Sequence, residues 1–317
     1  EYRRQRQMCI RDSMWGGPGG SYVLSPTQIG LTGTSSWSFV TSGYYTVAAI
    51  RSDGALFTWG SSANNGQLGD GTTAGKTSPV QIGTSSWTSI SCGMSHMAAI
   101  RTDGALFAWG YNASGQLGDG TTINKSSPVQ IGTSSWTMVR SGSTNTLAIR
   151  ADGTLWAWGG NSSGTLGDGT TINKSSPIQI GTSSWVSIGA GTNYNACAGV
   201  DINGDLWTWG TNASYNGGLG NLTRDVLYPT KISSMSGLPG YRWSSVTVAA
   251  YGTFAQGADG SLWLWGVGQS YFPVGYNGFY TVSLPTLITA RRDVRFKKVE
   301  HAQNNIAALS NDGELFI

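Results

Sequence analysis

Seven aspartates recur in two fixed settings. Asp53, Asp103, Asp152 and Asp259 each stand directly before a glycine between short apolar runs, and Asp70, Asp119 and Asp168 belong to LGDG segments. Carboxylates so repeated could act as general acids and bases or hold a divalent cation. Their surroundings argue against both. LGDGTT lacks the alternating acidic ligands of an EF-hand loop and the glycine-aspartate nonapeptide of calcium-binding β-rolls, and one carboxylate per loop is too few for tight binding. Asp-Gly is instead a hairpin signal, since both central residues of such a turn favour positive φ. His96 and His301 are the two histidines, too few for a histidine-based metal centre. Nothing pairs His96 with a nucleophile and an orienting acid, so a local hydrogen bond is its expected role. Cys9, Cys92 and Cys197 have neither metal-ligand spacing nor an even count. Cys92 reads as a small buried residue. Asn112, Asn161 and Asn212 form N-x-Ser sequons but recur at one repeat position, which marks them as turn residues. No glycine loop leads from a strand into a helix, so a phosphate cradle is unsupported. The expectation is a chain without catalytic residues, metal or cofactor.

What positions these residues is a repeat. Trp-Gly occurs at Trp15, Trp59, Trp109, Trp158, Trp209 and Trp265, about 50 residues apart. The context returns with it, as SDGALFTWG, TDGALFAWG, ADGTLWAWG, INGDLWTWG and ADGSLWLWG, and the chain stops at NDGELFI. Each period predicts four short strands. In the clearest, SPVQI (78–82), WTSIS (87–91), HMAAIR (96–101) and ALFAW (105–109) are rich in β-branched and aromatic residues. The GTSS between the first two reads as a connection, and the asparagine- and glycine-rich run after Trp-Gly as a longer loop. Forty-seven glycines oppose helix, and four strands per repeat point to a β-propeller. All 14 tryptophans fall at three repeat positions. Exposed tryptophan could stack on carbohydrate, but a residue demanded by every blade is more economically packing between blades, so Trp59, Trp109, Trp158, Trp209 and Trp265 are assigned a structural role.

The runs GALFTWGSSANNGQLGDG (54–71), GALFAWGYNASGQLGDG (104–120) and GTLWAWGGNSSGTLGDG (153–169) resemble the bacterial form of the regulator of chromosome condensation repeat, G-x-L-x-x-W-G-x-N-x-x-G-Q-L-G-x-G. The resemblance covers 14–317. It implies an all-β propeller of four-stranded antiparallel blades in a seven-bladed ring, of which six periods are present here. Residues 14–317 are therefore expected to form a single propeller domain, truncated at both ends because the pattern begins and stops within a strand. Residues 1–13, rich in arginine and outside the repeat, read as adapter sequence joined to a partial gene, a native basic tail being the alternative.

Only 11% of residues are charged, against about 25% in an average domain. The formal charge of +3 comes from that tail and from Arg291, Arg292, Arg295, Lys297 and Lys298, while the body balances its charges. A neutral body makes a phosphate-tracking nucleic-acid surface unexpected. No apolar run is long enough to span a membrane as a helix. Function in a propeller is expected where the repeats diverge, at 215–224, 233–242 and 269–298. In the last, Tyr271, Phe272, Tyr276 and Phe279 precede Arg291 and Arg292, a combination suited to an acidic partner or a glycan. A loop elaboration in which Phe296 takes the place of a blade tryptophan is the alternative. Three classes of function follow. The favoured one is a non-catalytic scaffold binding protein or glycan, part of a larger bacterial or phage surface or secreted protein, with an extracellular or cell- or virion-surface location. The resemblance also implies guanine-nucleotide exchange on a small GTPase, the activity of the eukaryotic founding member. An inhibitor or lyase built on a similar propeller is the third.

Overall fold

The computed structural model describes residues 36–61, 64–192, 195–212, 218–219, 225–232, 240–249, 252–267, 281–287, 295–302, 305–310, 312–313 and 315–316. Tyr271, Phe272, Tyr276, Phe279, Arg291 and Arg292 lie outside them, as do residues 1–13.

The first blade consists of β1 (Trp37–Ser42), β2 (Thr46–Arg51), β3 (Ala55–Gly60) and the beginning of β4 (Lys76–Cys92). The end of β4, with β5 (His96–Arg101), β6 (Ala105–Gly110) and the beginning of β7 (Lys125–Ser141), makes the second. The third uses the end of β7, β8 (Asn145–Arg150), β9 (Thr154–Gly159) and the beginning of β10 (Lys174–Ala190). The fourth joins the end of β10 to β11 (Ala196–Asp201), β12 (Leu206–Gly210) and β13 (Val226–Lys231). A fifth, separate sheet holds β14 (Trp243–Val248), β15 (Gly252–Gly257), β16 (Leu262–Val267) and β17 (Thr281–Leu287). A sixth holds β18 (Phe296–Ala302), β19 (Asn305–Ser310) and β20 (Leu315–Phe316). Every pairing is antiparallel. Phe296 opposes Ser310 in the register in which Trp87 opposes Arg101, so it opens its blade at the tryptophan position.

One expectation is corrected. SPVQI and WTSIS are not separate strands but the two halves of β4, a single 17-residue strand that serves two blades. Gln81 pairs with Phe57 and Ser86 with Ala55, so the residues between them bulge out of the first sheet before Trp87 enters the second. Gly83 supplies the kink at φ 60°, and Gln81 Nε2 donates to its carbonyl at 3.1 Å. Small and hydroxylated residues let the backbone stay extended through the bulge instead of forming a loop. The same device returns in β7 and β10, where Gln130 and Gln179 donate to Gly132 and Gly181.

Most of the core lies between successive blades. One cluster joins Ile100, Leu106 and Leu117 of the second blade to Trp136, Val139 and Trp158 of the third. First strands of successive blades are tied directly, since the Ser141 N–H donates to Ser91 Oγ at 2.9 Å and the Val246 N–H to Ser187 Oγ at 3.1 Å. Two ends result. At one, β1 turns into β2 and the long loops leave β3, β6 and β9. At the other lie the Asp-Gly turns and the kinks at Gly83, Gly132 and Gly181.

Candidate functional site

Each long loop reaches across to the next blade and is locked there by a tryptophan. Trp109 Nε1 donates to the Gln67 carbonyl at 2.9 Å, Trp158 Nε1 to Gln116 at 3.0 Å and Trp209 Nε1 to Thr165 at 2.9 Å. Gly118 has φ +80° and lies so close that a Cβ there would stand 2.6 Å from Trp158 Nε1, which accounts for the glycine of LGDG. The Trp-Gly tryptophans Trp59, Trp109, Trp158, Trp209 and Trp265 are all buried. The strand-opening tryptophans meet them at an angle: Trp136 lies 5.9 Å from Trp158 and Trp185 5.9 Å from Trp209, T-shaped pairs worth about 0.5–1.5 kcal/mol each beyond their burial.

The loops are also braced from within. Asn112 is fully buried and its Nδ2 donates to Asp119 Oδ1, the Thr121 carbonyl and the Ile123 carbonyl, each at 3.1 Å, while its Oδ1 accepts the Leu117 N–H at 2.9 Å. Asn161 repeats this in the next loop with Asp168, Thr170, Ile172 and Leu166. Burial removes both sequon side chains, and that of Asn212, from solvent. Burial works against the Asp119 carboxylate, but the Thr121 hydroxyl and amide, the Asn112 amide and Lys125 outweigh it and hold its carboxyl below the usual range. Lys125 Nζ lies 3.5 Å from it, fastening the loop to the start of β7. Among the described residues no three of His, Cys, Asp and Glu are grouped as a metal site would require.

Such rigid loops carry an apolar residue outward. Ile123 and Ile172 occupy the same position in two successive loops and are 65% and 64% exposed, where the first loop has Ala74. Tyr45, on the β1–β2 turn at this end, is 45% exposed and makes a T-shaped contact with Tyr44. Position-by-position comparison of TTAGK with TTINK was the available signal for the isoleucines, obscured because the repeat was otherwise so regular.

His96 is buried at a joint between blades. Its Nε2 lies 2.9 Å from Thr146 Oγ1, which itself donates to the Gln116 carbonyl at 2.8 Å. The hydroxyl has one proton and the carbonyl can only accept, so His96 Nε2 must carry the hydrogen and donate. Burial without a counter-charge pushes its pKa down to about 3. Cys92 and Cys197 are buried free thiols, and burial drives Cys197 up to about 12. In the divergent segment 233–242, Tyr241 packs on Trp243 and Trp263 and bonds to Asp259 at 2.9 Å, while Arg242 pairs with Asp205 at 3.0 Å.

The regulator of chromosome condensation (RCC1) repeat matches residues 53–100, 103–149, 152–198 and 203–256, and a second form of the repeat matches 87–116. The chain belongs to that repeat family, and its fold is the RCC1-type β-propeller of four-stranded antiparallel blades. No curated protein matches the chain in sequence. Among solved structures it is similar to human WBSCR16 (19% identity, TM-score 0.76, covering 92% of this chain and 77% of that one). It is similar also to yeast RCC1, Prp20, bound to Kap60 (21%, 0.72, 86% and 65%). A second structure is of Prp20p from Saccharomyces cerevisiae, described with its binding properties to Gsp1p and histones (22%, 0.69, 84% and 66%). Likenesses at this identity establish the fold. Among the described residues no helix is long and apolar enough to cross a membrane.

Proposed function

We propose that this propeller is a non-catalytic scaffold that binds a protein partner through the end bearing its long loops, as a module of a secreted or surface protein. The observation that carries the reading is the pair Ile123 and Ile172, equivalent residues displayed outward on loops whose backbones are locked by buried Asn112 and Asn161. A rigid apolar display spares the partner most of the ordering entropy that a mobile loop would cost. Side chains that could do chemistry are engaged elsewhere, with His96 joining blades and Asp119 and Asp168 bracing loops, which supports a binding role over catalysis. A surface rich in serine, threonine and asparagine and poor in charge supports the extracellular setting.

The test is to pan a displayed peptide library on the folded propeller and measure the enriched sequences against the Ile123→Ser, Ile172→Ser double variant. Loss of a central apolar anchor is expected to weaken binding about tenfold or more. Enriched peptides that bind both proteins equally, or a glycan array that gives ligands where the library gives none, would overturn the protein-binding reading.

A further inference from the structure

Arg51, Arg101 and Arg150 hold the same place in three successive blades, the last residue of the second strand. In the first two blades the guanidinium is consumed by the aspartate of the following turn. Arg51 grips both oxygens of Asp53, and Arg101 both oxygens of Asp103, with Nη2 at 2.6 and 2.5 Å. The phenylalanine beneath, Phe57 or Phe107, has no polar atom with which to compete.

Two of the third blade's differences from the first two act together to free the arginine. Thr154 replaces the alanine found at 55 and 105, and Trp156 replaces the phenylalanine. Trp156 Nε1 donates to Thr154 Oγ1 at 2.9 Å, and that hydroxyl donates to Asp152 Oδ1 at 2.6 Å, with the Thr154 N–H on the same oxygen at 3.0 Å. Asp152 still feels the charge of Arg150 but makes no hydrogen bond to it. Arg150 instead lies over Trp156 at 4.6 Å and Trp136 at 5.8 Å, and Nη2 donates to Ser134 Oγ. The fifth blade has the same hydroxyl–tryptophan pair in Ser261 and Trp263, but Gly257 where Arg150 would be. Among the described residues, Arg150 alone combines a guanidinium with this diverted aspartate.

Arg150 also faces space. It lines a groove of about 520 Å³ between the second and third blades, together with Trp136, Trp156, Gln130, Lys125 and Asp119. Lys125 and Asp119 pair with each other, so the groove keeps one net positive charge. A guanidinium held on aromatic faces is oriented and partly stripped of water, which strengthens a charge-assisted bond to an anion.

We propose that this groove binds a peptide carboxylate, an acidic side chain or a chain terminus, with Arg150 as its anion contact. Arg150 covers Trp156 and Trp136 is buried, so little aromatic face is left for a sugar ring to stack on, and the recognition offered is charge plus hydrogen bonds. The proposal stands apart from the isoleucine pair. The Ile123→Ser, Ile172→Ser variant is expected to keep this binding, which separates the two readings experimentally.

The test is calorimetric titration of the full chain with four probes. These are an acetylated and amidated hexapeptide carrying two glutamates, its glutamine counterpart, a hexapeptide whose only carboxylate is its C-terminus, and an oligogalacturonate. One of the two carboxylate peptides is expected to bind and the glutamine peptide not. Arg150→Gln should weaken that binding by about tenfold or more. Thr154→Ala, which restores the alanine of the other blades, should weaken it comparably by letting Asp152 recapture the guanidinium, and adding Asp152→Asn should restore it. That recovery is a readout a folding defect cannot produce. Equal binding of the glutamine peptide, an unaffected Arg150→Gln, no recovery in the double variant, or binding of the oligogalacturonate alone would each overturn the proposal.

Discussion

Replacing Asn112 by alanine should release the second long loop while leaving the blades intact. Its side chain holds the Leu117 N–H at 2.9 Å and the carbonyls of Thr121 and Ile123 at 3.1 Å, and both Asn112 and Leu117 are fully buried. An orphaned buried N–H costs about 1–3 kcal/mol, and each lost bond to a carbonyl that water can reach about 0.5–1.5 kcal/mol. The loop should therefore lose about 2–6 kcal/mol against local opening, which corresponds to amide exchange about 30-fold faster at the low end and on the order of 10⁴-fold faster at the high end. Hydrogen exchange followed by mass spectrometry over residues 110–124 measures this directly, with the strands of the second blade as internal reference. Asn112→Asp sharpens the test. It keeps an oxygen for Leu117 but sets a second carboxylate against Asp119, so its protection should be worse at pH 7 than at pH 4. Exchange in the alanine variant within about threefold of wild type would refute the reasoning that the buried amide, rather than the backbone turns, holds the loop.

Two further outcomes follow from the joints between blades. Trp158→Phe keeps a ring in the interface but removes the bond to the Gln116 carbonyl, and should cost about 1 kcal/mol in denaturant unfolding against about 3–5 kcal/mol for Trp158→Ala. His96, neutral in the fold down to about pH 3, takes up a proton in the unfolded chain at its ordinary value near 6.5. Its contribution is whole above that upper value and is lost as pH falls from there toward the lower one, because the unfolded state then binds the extra proton. A thermal melt series should show stability falling across this window, with a shallower slope in His96→Asn, the side chain that the third blade carries at Asn145.

The fold was legible because it is a repeat. A tryptophan and a glycine in every period, with Asp-Gly turns between alternating strands, state one blade several times over, and independent errors in reading any one copy cancel. The continuity of β4 was not legible. GTSS has the composition of a loop, and only pairing with two different neighbours, Ala55 on one side and Arg101 on the other, draws it into a strand. The aromatic and basic cluster of Tyr271, Phe272, Tyr276, Phe279, Arg291 and Arg292 falls outside the described residues. Ile123, Ile172 and Arg150 lie instead inside the regular repeats.

Sequence by itself determined the period, the strands, the turn glycines and the near-absence of charge, since these depend on backbone preference and on patterns a few residues long. It also contained the exchange of alanine for Thr154 and of phenylalanine for Trp156. Their consequence belongs to the tertiary structure. Whether Arg150 is bound to Asp152 or faces an open groove depends on which donor reaches the carboxylate first, and on a neighbouring blade that supplies Gln130 and Lys125 to the other wall. Competition between hydrogen-bond partners, and the meeting of residues from adjacent blades, exist only once the blades are packed.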